Sequence, residues 1–201
     1  MSATATPYGL RPIKRMDGLP YAGAVSEFLI NPAGIATNLF YGAVVALDTN
    51  GYIVLMTATG ADGTTNAFPA GTIGVFMGCE FVNAQGQDIF SQYYPANYAA
   101  PAGTSIKAKV VADPDVLFQA QLSGVGPQAS IGANTFFSAV QSTSTGNTRT
   151  GNSTSALTTT VQTAAAAFRV VALVAPLGDA FQDVLVKFNP GQHSYLNAVG
   201  I

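Results

Sequence analysis

The chain has 201 residues, with 8 Lys or Arg against 10 Asp or Glu, a formal net charge of −2. Charged residues make up only 9% and hydrophobic residues 48%, where a globular protein normally devotes about a quarter of its residues to charge. That balance excludes a basic nucleic-acid footprint and also charge-driven disorder, which needs low hydrophobicity and high net charge. A surface so poor in charge fits a protein covered by neighbouring subunits better than a secreted domain with a neutral polar face.

Residues 1–24 read as an extended N-terminal arm. Pro7, Pro12 and Pro20 remove backbone donors and push the preceding residues away from helix. The apolar residues Tyr8, Leu10, Ile13, Met16, Leu19 and Tyr21 follow neither helical nor strand period. Arg11, Lys14 and Arg15 form a basic cluster, after which no Lys or Arg occurs until Lys107. An arm of this kind must find its contacts elsewhere, on its own domain or on a neighbour, and is expected to be dispensable for folding of the body. Tyr8, Leu10, Ile13 and Tyr21 are its candidate anchors on a partner, with Arg11, Lys14 and Arg15 setting register by charge.

Residues 25–188 read as a β domain. Val25–Ile30 is a strand ended by Asn31-Pro32. Leu39–Leu47 and Tyr52–Thr57 flank Asp48-Thr49-Asn50-Gly51, and Asn-Gly between apolar runs predicts a hairpin with a type I′ turn. Asp62-Gly63 marks another turn. Thr72–Val82 is β-rich, and its Gly74 and Gly78 predict bulges. Ile89–Tyr94 follows. Ser105–Val110 alternates polar and apolar residues, which puts Lys107 and Lys109 on one face. With Asp113-Pro114-Asp115 as the turn and Val116–Leu122 as the return, this pair predicts a second hairpin. Residues 141–163 are a Ser/Thr/Asn/Gly-rich stretch, expected to be a long mobile loop unless a neighbour orders it. Ala167–Val174 and Asp183–Phe188 close the domain around a loop from Ala175 to Gln182, and 189–201 form a C-terminal tail. Strands, turns and no amphipathic helix predict an all-β barrel or sandwich.

Little here can carry catalysis. His193 is the only histidine and Cys79 the only cysteine. His193 lies in a turn near the C-terminus, expected to be exposed or hydrogen-bonded, and there is no nucleophile elbow to serve it. Cys79 reads as a buried apolar residue. One Cys and one His cannot close a zinc site, and Asp113 and Asp115 around a proline read as a turn more than a calcium loop. Gly124-Val125-Gly126-Pro127-Gln128-Ala129 fits a dinucleotide pattern, but Pro127 removes an amide and neither helix nor acid follows where needed. The expectation is a non-enzyme with no cofactor and no metal. The first residues lack the basic and apolar regions of a signal peptide, and no apolar run is long enough to span a bilayer, so neither membrane nor nucleic acid is an expected partner.

The opening Thr6-Pro7-Tyr8-Gly9-Leu10-Arg11-Pro12-Ile13-Lys14-Arg15 through Ala24 resembles a family of tailed-phage virion proteins, described as head decoration, cement or minor structural proteins of marine and cyanobacterial phages. Ala36–Gly42, Lys107–Phe118, Ile131–Asn134 and Val186–His193 are similar too, so the resemblance runs almost end to end. It implies a non-catalytic protein on the outside of the assembled head, made in the host cytoplasm, that bridges major capsid protein subunits. By analogy it implies a homotrimer or other symmetric homo-oligomer. A tail- or portal-associated component is the alternative. A carbohydrate-binding virion module, using Tyr93, Tyr94 and Tyr98, is a further one, weakened by the absence of Trp.

Overall fold

The computed structural model describes residues 4–61, 67–174, 178–198 and 200–201. The expected turn at Asp62-Gly63 and the start of the loop from Ala175 lie outside the described residues. The strands are β1 (Arg11–Arg15), β2 (Ser26–Ile30), β3 (Leu39–Phe40), β4 (Val44–Leu47), β5 (Ile53–Leu55), β6 (Thr72–Val82) and β7 (Asp88–Ser91). They continue with β8 (Tyr93–Tyr94), β9 (Ile106–Val111), β10 (Val116–Gln121), β11 (Asn134–Thr135), β12 (Phe168–Leu173) and β13 (Asp183–Phe188). Among the described residues the only helical elements are two 3-10 turns, at Gln128–Ser130 and Ser194–Leu196.

The all-β expectation holds, as a sandwich-like packing of antiparallel sheets. One sheet has the order β1-β10-β13-β12-β11, the other β2-β9-β6-β4-β5 with β7 also on β6; β3 and β8 form a separate ribbon. Alternation along the central strands builds two cores. Val44, Ala46, Val75 and Val111 face the first sheet, where Phe118, Phe168, Val184, Val186 and Phe188 meet them. Val45, Ile73, Phe76, Ala108 and Val110 point the other way, into a second core with Ile30, Leu39, Ile53 and Tyr94. The middle of the second sheet is therefore buried on both faces. This is why Thr72–Val82 reads as a near-continuous apolar run rather than an alternating one. Its ends, β2 and β5, come back into contact around the second core.

The two hairpin expectations fare differently. Asp48–Tyr52 does close a hairpin, with Leu47 opposite Ile53. Of its central residues, however, only Gly51 has positive φ, so the turn is not type I′. The Asp48 carboxylate closes it instead, accepting from the Asn50 amide at 2.8 Å and the Tyr52 amide at 2.9 Å. The second expectation fails. β9 pairs with β2 and β6, whereas β10 pairs with β1 and β13. The Asp113-Pro114-Asp115 turn thus carries the chain from one sheet to the other. Val111 before it and Val116 after it enter the same core from opposite sides. Alternation fixes which face is buried and says nothing about which strand lies alongside.

Gly74 and Gly78 do sit at irregularities: the register shifts beside Gly74 on the β4 side and between Phe76 and Cys79 on the β9 side. The single expected strand Leu39–Leu47 is broken by Gly42, whose φ of +86° no branched residue adopts readily.

Two segments expected to stand apart belong to the body. Residues 11–15 are not a free arm: β1 is the edge strand of the first sheet, and Leu10 is fully buried in its core. Gly9 and Gly42, both with positive φ, abut one another so closely that neither has room for a Cβ. Residues 141–163 have almost no regular structure yet are tied down by their own chain. Leu157 is fully buried, Ser153 and Ser155 are buried, and backbone bonds join Tyr41 to Gly151 and Ser153, and Leu157 to Gln121 and Ser123. Polar side chains and backbone do here what strand ladders do elsewhere.

Candidate partner-binding face

The chemistry-bearing residues are dispersed. Of the two alternatives expected for His193, exposed or hydrogen-bonded, the second holds, and the side chain is fully buried besides. Its Nδ1 accepts from the Tyr195 amide at 3.2 Å and caps the last 3-10 turn, and its ring packs on Phe188. Burial pushes its pKa down to about 4, with the Ile73 backbone and Asp113 opposing weakly. Cys79 is buried in the second core, and burial pushes its thiol up to about 12. Among the described residues no group of His, Cys, Asp and Glu could hold a metal ion. Asp113 is used locally, taking the Asp115 amide at 2.9 Å and lying 3.7 Å from Arg15 Nε.

The tyrosines suggested for glycan stacking form no exposed platform. Tyr94 is fully buried and donates its hydroxyl to the Tyr98 carbonyl. Tyr98 donates to the Val82 carbonyl at 2.6 Å and packs on Phe81, while Tyr93 stacks on Phe40.

The basic cluster of the first segment divides. In a regular strand, residues three apart face opposite sides. The β1–β10 ladder has a bulge at Ile13, so Arg11 (opposite Gln119) and Lys14 (opposite Leu117) emerge on the same outer face. Arg15 goes elsewhere and lies 3.6 Å from Asp17 as well as near Asp113. Arg11 lies over the Tyr8 ring at 4.7 Å. Tyr8 in turn donates to Asp183 Oδ1 at 3.0 Å; burial and that carboxylate push its phenol well above the usual range. Of the other candidates, Ile13 is exposed and Tyr21 is half-buried against the core, its hydroxyl on the Ala24 carbonyl at 2.9 Å. Leu10 is unavailable to any partner.

Two residues not foreseen complete this face. Arg169 and Lys187 are direct cross-strand partners on β12 and β13, each lying between two core residues and therefore pointing outward. Continuing the β10–β13 register by one residue from Phe118–Val186 places Lys187 opposite Leu117. A row on the side of the first sheet turned away from its core, Lys14–Leu117–Lys187–Arg169–Asn134, thus crosses all five strands; Leu117 and Asn134 are themselves buried, and the three cations between and beside them are what the row presents. With Arg11, it holds four of the chain's eight cations, none in an ion pair among the described residues. Asp183 on this side is occupied by Tyr8 and by Gln119 Nε2 at 3.2 Å. The sequence signal was a lone cation inside each apolar strand, Phe168-Arg169-Val170 and Val186-Lys187-Phe188.

The second sheet carries its charges differently, on the face turned away from the second core. There Lys109 is paired with Glu27 and lies 3.8 Å from Glu80, so this cation is met by acids of its own sheet. The Lys109 hydrogen bond and charge hold the Glu27 carboxyl below its usual range.

Comparison with models of known protein families, with curated protein sequences and with solved structures matches nothing.

Proposed function

We propose that this chain is a structural protein of a tailed-phage head, a decoration protein that docks on assembled major capsid protein and bridges its subunits. One observation carries the reading: the row Lys14–Lys187–Arg169, with Arg11 beside it, concentrates unpaired positive charge on one face of a molecule whose net charge is −2. Such a face meets no carboxylate of its own among the described residues and suits an acidic protein surface, where complementarity sets orientation and rejects wrong partners. The scarcity of charge elsewhere, the rigid two-core body and the resemblance of Thr6–Ala24 to phage virion proteins support the same reading. Contacts that are individually weak sum when many copies bind one lattice, so the work needs no bond made or broken. The protein acts as a symmetric homo-oligomer, most simply a trimer.

The test is co-sedimentation with empty heads assembled from the major capsid protein. Binding that weakens with salt and falls sharply in an Arg11→Gln/Lys14→Gln double variant supports docking through this face. Heads that sediment without the protein overturn it. Copy number in purified particles separates a shell protein, present at every capsomer, from a component of a single tail or portal ring.

A further inference from the structure

We infer that the groove beside Arg169 and Lys187 is a carboxylate-binding site, which seats an acidic side chain flanked by apolar residues from a segment of the partner protein. This rests on the docking reading and deepens it by naming what the partner brings.

The cations themselves give the first reason. Like charges directly opposite one another across an antiparallel ladder destabilise it, and Arg169 and Lys187 are such a pair. No carboxylate lines the groove among the described residues. A carboxylate from outside would turn the repulsion into two attractions.

The second reason is that Arg169 is held in position. Its Nε donates to Asn134 Oδ1 at 2.7 Å. Asn134 is itself fixed, accepting from Asn189 Nδ2 at 3.0 Å and donating to the Ala164 carbonyl at 2.8 Å. Both asparagines are buried. With Nε committed, the two terminal nitrogens remain, an end-on fork that matches the two oxygens of a carboxylate. A guanidinium oriented in advance loses less entropy on binding.

The third reason is shape. The groove encloses about 470 Å³, and Met16, Ile131, Val171 and Pro190 contribute apolar wall beside the two cations. Met16 and Ile131 are 51% and 41% exposed, so the wall is open to a visitor. A free inorganic anion gains nothing from such walls, whereas a peptide carrying an acid between apolar residues gains on both counts. A nucleic-acid backbone is a poor occupant, because the molecule as a whole is acidic, with a pI of about 5.1.

The experiment is an NMR titration of the isotope-labelled full chain with a short end-blocked peptide carrying one central Glu between leucines. Its controls are the same peptide with Gln and inorganic phosphate. The Glu peptide should shift the Arg169 and Lys187 amides saturably. Arg169→Gln and Lys187→Gln should each weaken it about tenfold, the loss expected of one charge-assisted hydrogen-bonded contact. Arg169→Lys should weaken it as well, since lysine lacks the fork. Lys187→Gln should melt no lower than the parent, because it relieves the repulsion, so lost binding there is not lost folding. Equal binding of the Gln peptide, unchanged affinity in the variants, or equal response to phosphate overturns the proposal. Sedimentation with heads separates the two levels. Heads that bind Arg169→Gln as well as the parent leave the docking reading standing and remove the groove. Peptide binding without head binding does the reverse.

Discussion

Gln141 clasps Val44 from both sides of its peptide: Oε1 accepts from the Val44 amide at 3.0 Å, and Nε2 donates to the Val44 carbonyl at 3.1 Å. The same Nε2 reaches the Met56 carbonyl at 2.9 Å. All of this is buried. The pleat of β4 is thereby tied to the first residue of the Ser/Thr-rich stretch by a side chain rather than by a strand.

Replacing Gln141 by Leu strands the buried Val44 amide and takes the donor from the Met56 carbonyl, while the Val44 carbonyl keeps the Met56 amide at 3.1 Å. Each unsatisfied buried group costs on the order of 1–3 kcal/mol, so Gln141→Leu should destabilise the fold by about 3 kcal/mol or more. Urea unfolding measures this. A midpoint like the parent's would show that water reaches the site and serves in the amide's place.

The first segment should prove indispensable to folding. Leu10→Ala empties a fully buried site in the first core and should cost about 2–5 kcal/mol. Deleting residues 2–20 removes Leu10 and an entire edge strand, and should give a protein that fails to melt cooperatively. A truncated form with the parent's melting curve would restore the picture of a detachable arm.

His193 predicts a pH dependence of definite sign. Its folded pKa, about 4, lies below the ordinary value of 6.5. Above pH 6.5 the ring is neutral in both states and stability is complete. As pH falls from 6.5 to 4 the unfolded chain takes up a proton that the folded one refuses, so stability drops, by at most about 3 kcal/mol. Below 4 this contribution is level. His193→Asn should flatten the slope in that window, as read from urea midpoints at a series of pH values. The Glu27 carboxyl acts in a lower window: its folded pKa is depressed below 4.5, and its small contribution disappears only as pH falls through that depressed value.

Cys79 should resist thiol reagents. Burial keeps the thiol protonated at neutral and mildly alkaline pH, and only the thiolate reacts. Ellman's reagent at pH 8 should find no thiol in the folded protein and one per chain in guanidinium. Rapid labelling under native conditions would contradict the burial.

Gly42→Ala should be worse than its size suggests. A Cβ there would lie 2.8 Å from the Tyr8 carbonyl oxygen, in a backbone conformation with φ +86°. The first segment would be pushed off the turn between β3 and β4, giving a lowered melting temperature. The matched Gly18→Ala change, with open space around it, should cost only its backbone strain.

Much of the fold was legible. Period-two patterning and turn residues located most strands, and Thr72–Val82 came out with the right ends because apolar β-branched residues and punctuating glycines agree there. What could not be read was partnership. Val116–Gln121 alternates as a hairpin return would, but the second member of its ladder is Asp183–Phe188, more than sixty residues on. The Ser/Thr-rich stretch misled for a related reason: its order comes from Gln141, Ser153 and Leu157 finding distant backbone, which composition does not record. On the candidate face, Arg11 and Lys14 were visible as a cluster. Their shared direction depends on a bulge, and Arg169 and Lys187 join them only through registers between strands remote in sequence.

The place of β1 also has a bearing on how the molecule is made. Its ladder partner is β10, whose own second partner is β13, so β1 waits for strands more than a hundred residues further along the chain before its sheet exists. Contacts of such long range slow folding and leave hydrophobic edges unattended meanwhile. A chain without β13 therefore cannot display the finished cationic row.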